Sequence, residues 1–311
     1  MSVPRNKKSF GIIAMPKPFK GHIGVIQRNS IGSWVNLVSP NNIVLCGTEE
    51  GCAETALLLG TRYNPEVARN EYGTPLLNGL FKIGENLLQT DLICFVNSDI
   101  MFTSRLLKAV EIVSGRWNKF LLVGRRINLD LREPWDFSQP DWEISLEAKA
   151  DKEGELFTAD GIDYFIFPRS MWGEIPPFAI GRPAFDNWLI YRARSLRVPV
   201  IDATRVIMAI HQNHDYSHYS GGKAAVWDGP EAQRNRELAG GWNHIFDIFD
   251  ATWLLTPSGL KRGLSGKYIR RRFIRLPVLY PTLGCFVTTS KSLLNRAREQ
   301  AYRVLKLIGI K

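Results

Sequence analysis

The chain has 311 residues, of which 45% are hydrophobic, 11% are aromatic and 23% are charged. This composition supplies a large core and fits one large α/β domain, or such a domain with an appendage. No run of about 18 apolar residues occurs, which excludes a membrane-spanning helix, and the apolar stretch at 10–15 is too short for a signal peptide. The four cysteines form no CxxC pair, so we expect reduced thiols in a cytoplasmic protein, with neither zinc nor disulfides.

The net charge of +10 is concentrated at one end of the chain. Residues 257–311 contain 13 Lys and Arg and a single acidic residue, a net charge of +12, whereas residues 1–256 carry 27 basic and 29 acidic residues. This distribution argues against a nucleic-acid groove across the main body. It favours a C-terminal segment that meets an anionic partner.

The first 126 residues alternate between predicted strands and helices. We expect strands within 9–16, 41–47, 62–70, 91–100 and 120–126, and helices within 22–38, 54–60, 74–90 and 104–113. Such alternation predicts a mostly parallel sheet covered on both faces by helices. Ligands of these sheets bind beyond the carboxyl ends of the strands.

The strand at 91–100 ends in a polar triplet, Asn97-Ser98-Asp99. Two oxygen-bearing side chains at i and i+2 can both face a hard cation such as Mg²⁺ or Mn²⁺, which then bridges a diphosphate leaving group. The alternative is that Asp99 is a turn residue or a helix cap. A P-loop enzyme and a dinucleotide-binding enzyme are disfavoured, because neither glycine motif occurs.

The stretch RNEYGTPLLNGLFKIGENLLQTDLICFVNSDIMF resembles the central part of a GT-A-type glycosyltransferase, in the family-2-like branch of the nucleotide-diphospho-sugar transferases. The resemblance covers about residues 9–220 and implies a GT-A, Rossmann-like sheet. It also implies a Mn²⁺ or Mg²⁺ cofactor with Asp99 as its main ligand. By the same resemblance, Asn97 contacts the ribose or the metal, and Asn70, in the turn before a helix, contacts the donor. Asn97 departs from the family's Asp-x-Asp motif and removes one ligand charge.

The second half of the expected site begins after a charged stretch, residues 141–155, which we expect to be mobile. Asp160 and Asp163 precede a buried strand within 158–172. Turn chemistry accounts for one of these carboxylates. We predict that Asp163, which adjoins the strand, binds the acceptor or the transferred sugar.

Asp186 stands at the start of a predicted helix within 178–195. An aspartate there can simply cap the helix. The resemblance instead implies a catalytic acid at this place, and an inverting transferase needs a carboxylate to take the proton of the acceptor hydroxyl. We therefore predict that Asp186 is the base. Arg182 is predicted to hold a phosphate or an acceptor anion, with a surface salt bridge as the alternative.

Three of the five histidines follow the apolar run at 206–210, namely His211, His214 and His218. Their spacing permits a zinc site, but no glutamate stands where a hydrolytic zinc helix needs a base. The resemblance implies that His211 completes the metal shell and that His214 contacts the donor. The alternative is that these histidines belong to the core or to a pocket wall.

Two further basic residues are predicted to contact the donor phosphates. Arg125 and Arg126 follow a strand and point to opposite faces if it continues, so only one of them can face the site; we take this to be Arg126. Lys223, in a glycine-rich loop, is predicted to neutralise the diphosphate as that loop closes.

The C-terminal section is predicted to form its own segment. We place a catalytic domain at 1–256 and a basic amphipathic extension at 257–311, with a helix over 292–311. Such a helix binds anionic bilayers, at about 1 kcal/mol per basic residue near the surface. The alternative is an ordinary solvated helix packed on the body.

Together these features predict a glycosyltransferase that moves a sugar from a nucleotide-diphospho-sugar to a hydroxyl of a glycan or a lipid-linked glycan. A role in polysaccharide biosynthesis follows, in the cytoplasm and peripherally on the inner face of the membrane. One alternative is a sugar nucleotidyltransferase, which lacks support because no glycine-rich loop follows the first strand. The other is a non-catalytic scaffold on the membrane surface, which Asn97 alone supports.

Overall fold

The computed structural model describes residues 8–214 and 226–282 of the chain. Lys223, His218 and the helix predicted over 292–311 lie outside the described residues. The chain divides into two compact units, the first ending at Gly263 and the second beginning at Leu264.

The elements of the first unit alternate between strand and helix along most of its length. The strands are β1 (Phe10–Ala14), β2 (Ile43–Cys46), β3 (Arg62–Asn64), β4 (Leu92–Val96), β5 (Ile100–Met101), β6 (Leu121–Val123), β7 (Arg126–Leu129), β8 (Glu155–Leu156), β9 (Tyr164–Pro168), β10 (Val200–Asp202), β11 (Ala209–Gln212), β12 (Trp253–Thr256) and β13 (Gly259–Arg262). The helices are α1 (Gly21–Val35), α2 (Cys52–Leu59), α3 (Leu77–Leu87), α4 (Arg105–Ser114), α5 (Trp142–Glu153), α6 (Phe185–Ser195) and α7 (Pro230–Leu238).

Nine strands form the main sheet, in the order β13-β12-β10-β6-β9-β4-β1-β2-β3. Most neighbours are parallel, but β9 runs antiparallel to both β4 and β6, and β13 runs antiparallel to β12. Every residue of β1, β2 and β4 is buried. This pattern is typical of strands that are covered on both faces. The predicted α/β fold with a mostly parallel sheet is therefore confirmed.

A second sheet has the order β5-β11-β7-β8 and packs against helix α5. The apolar residues of α5 recur at helical spacing, and Trp142, Leu146 and Ala150 are all buried. Its acidic residues also have partners, because Glu143 accepts hydrogen bonds from Ser104 and Glu147 forms an ion pair with Arg105.

The expectation that residues 141–155 are mobile was therefore wrong. The high charge of this stretch belongs to the outer face of a helix whose inner face packs on the second sheet. Within the residues that the structure describes, the other predicted strands and helices lie within a few residues of the observed ones. Cys46, Cys52 and Cys94 are buried and have free thiols.

The hairpin of β12 and β13 continues the main sheet past residue 256, where the sequence placed a domain boundary. The predicted boundary stays a prediction. The second unit begins with helix α8 (Gly266–Leu279), which exposes 39% of Ile269, 71% of Phe273 and 48% of Ile274. Among the described residues, no helix combines the length and apolar character needed to cross a membrane.

Candidate functional site

The site is built around the end of β4. After Val96 the chain turns through Asn97-Ser98-Asp99 and enters β5, with the amide of Ile100 bonded to the carbonyl of Asn97 at 3.2 Å. Asp99 is only 9% exposed. A carboxylate is thus buried at the carboxyl end of a central strand, the edge at which sheets of this class bind ligands.

Strand β11 brings a histidine to Asp99. It pairs antiparallel with β5 so that His211 lies opposite Ile100, and the amide of Gln212 donates to the carbonyl of Asp99 at 3.1 Å. Nε2 of His211 lies 3.9 Å from Oδ2 of Asp99, and Nε2 of His214 lies 3.2 Å from the same oxygen.

Asp99, His211 and His214 fit a divalent cation. One ligand atom from each residue lies within 4.8 Å of the others. Oδ1 of Asp99 and Nδ1 of His211 are buried and have no hydrogen-bond partner among the described residues. A buried oxygen without a donor is costly unless a cation takes that place.

The protonation states of these groups suit metal binding. Burial lowers the pKa of His211 to about 4, so its ring is neutral and free to coordinate at neutral pH. Burial by itself disfavours the charged form of Asp99. The neighbouring His211 and the hydrogen bond from His214 more than offset this effect and hold the pKa of Asp99 below its ordinary value. The cluster therefore combines a carboxylate with a neutral imidazole.

The amide nitrogen of Asn97 binds a second carboxylate, and the prediction that Asn97 contacts the ribose or the metal stays a prediction. Val96 pairs with Tyr164 across β4 and β9, so Asn97 lies beside Asp163. Its amide Nδ2 donates to Oδ1 of Asp163 at 2.7 Å, and its backbone amide donates to the carbonyl of Asp163 at 2.9 Å. Arg126 binds the other carboxylate oxygen at 2.8 Å. Both oxygens of Asp163 are thus held in place.

The two adjacent arginines have different partners, although β6 ends at Val123 and the strand predicted to continue through both of them does not. Arg125 donates to the carbonyl of Phe157, whereas Arg126 turns to Asp163 and lies over the Phe157 ring at 4.1 Å. Arg126 is therefore the arginine on the side of the candidate site.

Lys17 is a functional candidate that the sequence analysis missed. Burial lowers the pKa of its amine, although Asp99 and Asp163 are close enough to favour the charged form. Lys17 follows the carboxyl end of β1, a neighbour of β4 in the sheet. The rule that pointed to Asp99, a polar side chain beyond a buried parallel strand, would have found it too.

Asp186 lies in the first turn of α6 and does not cap the helix. The cap residue is Ala184, which makes no side-chain capping bond. Oδ1 of Asp186 is buried and has no hydrogen-bond partner among the described residues. Burial, reinforced by the nearby charges of Asp163 and Asp160, raises the pKa of Asp186 to about 7. A carboxylate poised near neutral pH suits a general base.

Asn70 and Arg182 meet at a third carboxylate. Arg182 binds Oε2 of Glu231 at 2.6 Å through Nη2, and Asn70 donates to Oε1 of Glu231 at 2.7 Å. The side chains of Arg182 and Glu231 are 11% and 10% exposed, so this is a buried ion pair and not a surface one. Sequence reasoning missed Glu231, because nothing local marks it on α7. Donor contacts by Asn70 and Arg182 stay predictions.

Comparison with known proteins gives only distant likenesses. No protein-family model and no curated protein matches the chain. Among solved structures, it is similar to glucosyl-3-phosphoglycerate synthase from Mycobacterium tuberculosis with Mg²⁺ and UDP, at 12% identity over 76% of this chain and 80% of that one, with a TM-score of 0.44. It is also similar to GalNAc-T7 with UDP, GalNAc and Mn²⁺, at 15% identity over 77% of this chain and 50% of that one, with a TM-score of 0.48.

A third similar structure is S. aureus TarS 1-349 with UDP-GlcNAc, at 11% identity over 68% of this chain and 61% of that one, with a TM-score of 0.44. Identities and TM-scores this low do not assign a chain to a family.

Proposed function

We propose that the chain is a glycosyltransferase that moves a sugar from a nucleotide-diphospho-sugar to a hydroxyl acceptor. One observation carries the proposal: a cluster that fits a divalent cation and a separate carboxyl group, which has one buried oxygen and a pKa near 7, share one neighbour. That neighbour is Asp163, which acts electrostatically on both His211 and Asp186. Glycosyl transfer needs these two parts side by side, because one assists the departing diphosphate and the other takes the proton of the attacking hydroxyl.

In this proposal Asp99, His211 and His214 hold Mn²⁺ or Mg²⁺. The bound metal supplies positive charge that stabilises a diphosphate leaving group. The basic side chains of Lys17 and Arg126 lie near the same carboxylates, Asp99 and Asp163. Lys223 would join them from outside the described residues.

Asp186 is the proposed base of an inverting transfer. Its unpartnered oxygen is free to accept the proton of the acceptor hydroxyl. Asp163 is less suited to that step, because Asn97 and Arg126 already occupy both of its oxygens. We assign Asp163 to orienting Arg126 and to binding the sugar through lone pairs that these bonds leave open.

A lipid-linked or glycan acceptor, met at an anionic membrane surface, is the second part of the proposal. Helix α8 combines exposed Ile269, Phe273 and Ile274 with the arginine run 270–272. The whole stretch 257–311 has a net charge of +12. Exposed apolar side chains among basic residues are the pattern of helices that lie on anionic bilayers.

The deciding test is calorimetric titration with UDP-, GDP-, dTDP- and CMP-sugars, with and without Mn²⁺, on the wild type and on Asp99→Ala. We expect one nucleotide to bind in a metal-dependent way and the variant to lose that dependence. Binding without metal would keep the transferase but remove the metal role from Asp99. A folded protein that binds none of the four donors would contradict the proposal.

The structure weakens the two alternatives. The non-catalytic scaffold was supported by Asn97 alone, and the hydrogen bond from Asn97 to Asp163 gives this residue a reason to be there. The sugar nucleotidyltransferase gains no supporting feature. Within the described residues the loop after β1 reaches α1 as MPKPFK, with no glycine before Gly21.

A further inference from the structure

The segment that leads into α6 has a strained backbone. Gly181 and Ala184 have φ of 77° and 91°, both in the left-handed region. Glycine adopts this conformation freely, but alanine does not, so the surroundings of Ala184 must impose it. Ala184 stands two residues before Asp186. The backbone that presents the proposed base is therefore held there by other parts of the fold.

Helix α7 supplies the contacts that hold this segment. Asn235 is fully buried, and its side-chain amide accepts from the nitrogen of Ala179 at 2.9 Å and donates to the carbonyls of Ala179 and Pro183 at 3.0 and 3.2 Å. Glu231 lies one turn earlier on the same helix face. It accepts from Nε and Nη2 of Arg182 at 3.0 and 2.6 Å. One helix face thus fixes the segment at three positions.

Glu231 also connects the segment to a turn far away in the sequence. Its second oxygen accepts from Nδ2 of Asn70, whose own Oδ1 accepts from the backbone amides of Tyr72 and Thr74. Burial disfavours the charged form of Glu231. Hydrogen bonds from Asn70, Thr74 and Arg182 offset this and lower its pKa below the ordinary value. The carboxylate is therefore ionised at neutral pH and bridges two segments.

We propose that Glu231 is a positioning residue, which ties Arg182 to the Asn70 turn and thereby fixes the segment that carries Asp186. This inference rests on the proposed function, in which Asp186 takes the proton. A shift of about 1 Å in such a group is enough to cost on the order of 10²-fold in rate. Glutamine at 231 would keep the shape of the side chain but leave the Arg182 guanidinium buried without its counter-charge.

The test compares Glu231→Gln with Glu237→Gln on the same helix. Glu237 forms an exposed ion pair with Arg234, so its variant is a matched control for loss of a carboxylate. With a UDP-sugar and Mn²⁺, we expect Glu231→Gln to release UDP at least ~10-fold more slowly than the wild type. Its affinity for UDP and Mn²⁺ should stay within about twofold, and Glu237→Gln should match the wild type in both measurements.

A second readout does not depend on turnover. The carboxyl of Asp186 can be titrated by ¹³C NMR in the ligand-free protein and assigned with Asp186→Asn; Asp163 and Asp160, which face it, are followed in the same spectra. In Glu231→Gln, we expect the midpoint of Asp186 to move down from near 7, because a loosened segment admits water. In Glu237→Gln the midpoint should not move.

Each outcome bears on the proposal. A Glu231→Gln variant with wild-type turnover and a wild-type Asp186 titration would overturn it. An equal loss of nucleotide affinity and turnover would also overturn it, because Glu231 would then belong to the donor site. If this variant does not fold, Arg182→Lys, which keeps the charge but loses the two-pronged contact, takes its place. If the wild type binds no nucleotide, the proposed function fails, and the NMR comparison still decides the role of Glu231.

Discussion

Asn97 donates its side-chain amide to Oδ1 of Asp163 across 2.7 Å, at the point where β4 ends and the antiparallel β9 begins. The residue that stands in place of an aspartate in the expected Asp-x-Asp motif is therefore a donor to a carboxylate. An aspartate in its place would set two carboxylates against each other in a buried site. An asparagine at position 97 therefore avoids this repulsion, and its amide helps to hold the carboxylate of Asp163 in place.

We therefore expect Asn97→Asp to lower the free energy of unfolding and not to improve metal binding. The lost hydrogen bond and the new repulsion should cost about 1–3 kcal/mol of unfolding free energy at pH 7. Urea denaturation measures this loss, with Asn86→Asp on the exposed side of α3 as the control. Tighter Mn²⁺ binding at unchanged stability would show instead that Asn97 is a substituted metal ligand.

Metal affinity should depend on all three residues of the cluster. Asp99→Asn, His211→Ala and His214→Ala should each weaken Mn²⁺ binding by about tenfold or more, because each removes one ligand. Calorimetry or Mn²⁺ electron paramagnetic resonance provides the measurement. His244→Ala is the matched control, since that ring stacks on Tyr191 at 3.9 Å and is not part of the cluster. Wild-type affinity in both cluster histidine variants would place the metal elsewhere.

Asp186→Asn should lower the transfer rate and raise the stability of the folded protein at pH 8. As the pKa of Asp186 is about 7 in the folded protein and 3.8 ordinarily, the folded state holds a proton between these values that the unfolded state releases. The stability of the wild type should therefore fall as the pH rises from 4 to 7. The variant avoids this loss and should be more stable at pH 8, by on the order of 2–4 kcal/mol, with no gain at pH 4.

The same variant should lose on the order of 10²–10⁴-fold in transfer rate, while the wild-type rate should rise with pH through about 7 and then level off. Thermal unfolding at the two pH values and a pH–rate profile check both parts. An Asp186→Asn protein that is less stable than the wild type at pH 8 would show that the ionised carboxylate of Asp186 does not destabilise the folded wild type.

Membrane contact should depend on exposed apolar side chains of α8. Phe273→Glu puts a negative charge on the helix and should reduce cosedimentation with vesicles that contain anionic phosphatidylserine, by roughly tenfold in partition coefficient. Binding to neutral phosphatidylcholine vesicles should be weak for both proteins. Ile144→Glu, on the exposed face of α5, is the control. Undiminished binding by the Phe273 variant would exclude this face of α8 as the contact.

The sequence was informative where the chemistry is local. Polar residues beyond a buried strand led to Asp99, and the resemblance to GT-A-type transferases led to Asp186 at a helix start. The resemblance implied roles for His211 and His214 but not their relative positions, because His214 lies nearer to Asp99 than His211 does. That difference depends on how the chain leaves β11, which no periodicity records.

The rest of the site depends on contacts between distant parts of the chain. Glu231 meets Asn70 and Arg182 only after the fold brings three segments together, and no local pattern marks it. Helix α5 was missed for a related reason. The charged residues outnumber the three buried ones in this stretch, and those three form a recognisable apolar face only when the helix packs on the second sheet.

The reversed direction of β9 separates the two halves of the proposed chemistry. Asp163 directly precedes this strand at the edge where Asp99 lies, and Pro168 ends it at the opposite edge, paired with Leu92. Residues 169–184 must then run back to the first edge of the sheet before the chain reaches Asp186. The register of β1 and β4 therefore does not determine where Asp186, the proposed base, lies. In the proposed reaction, changes in residues 169–184 could therefore alter the choice of acceptor without altering how the donor is bound.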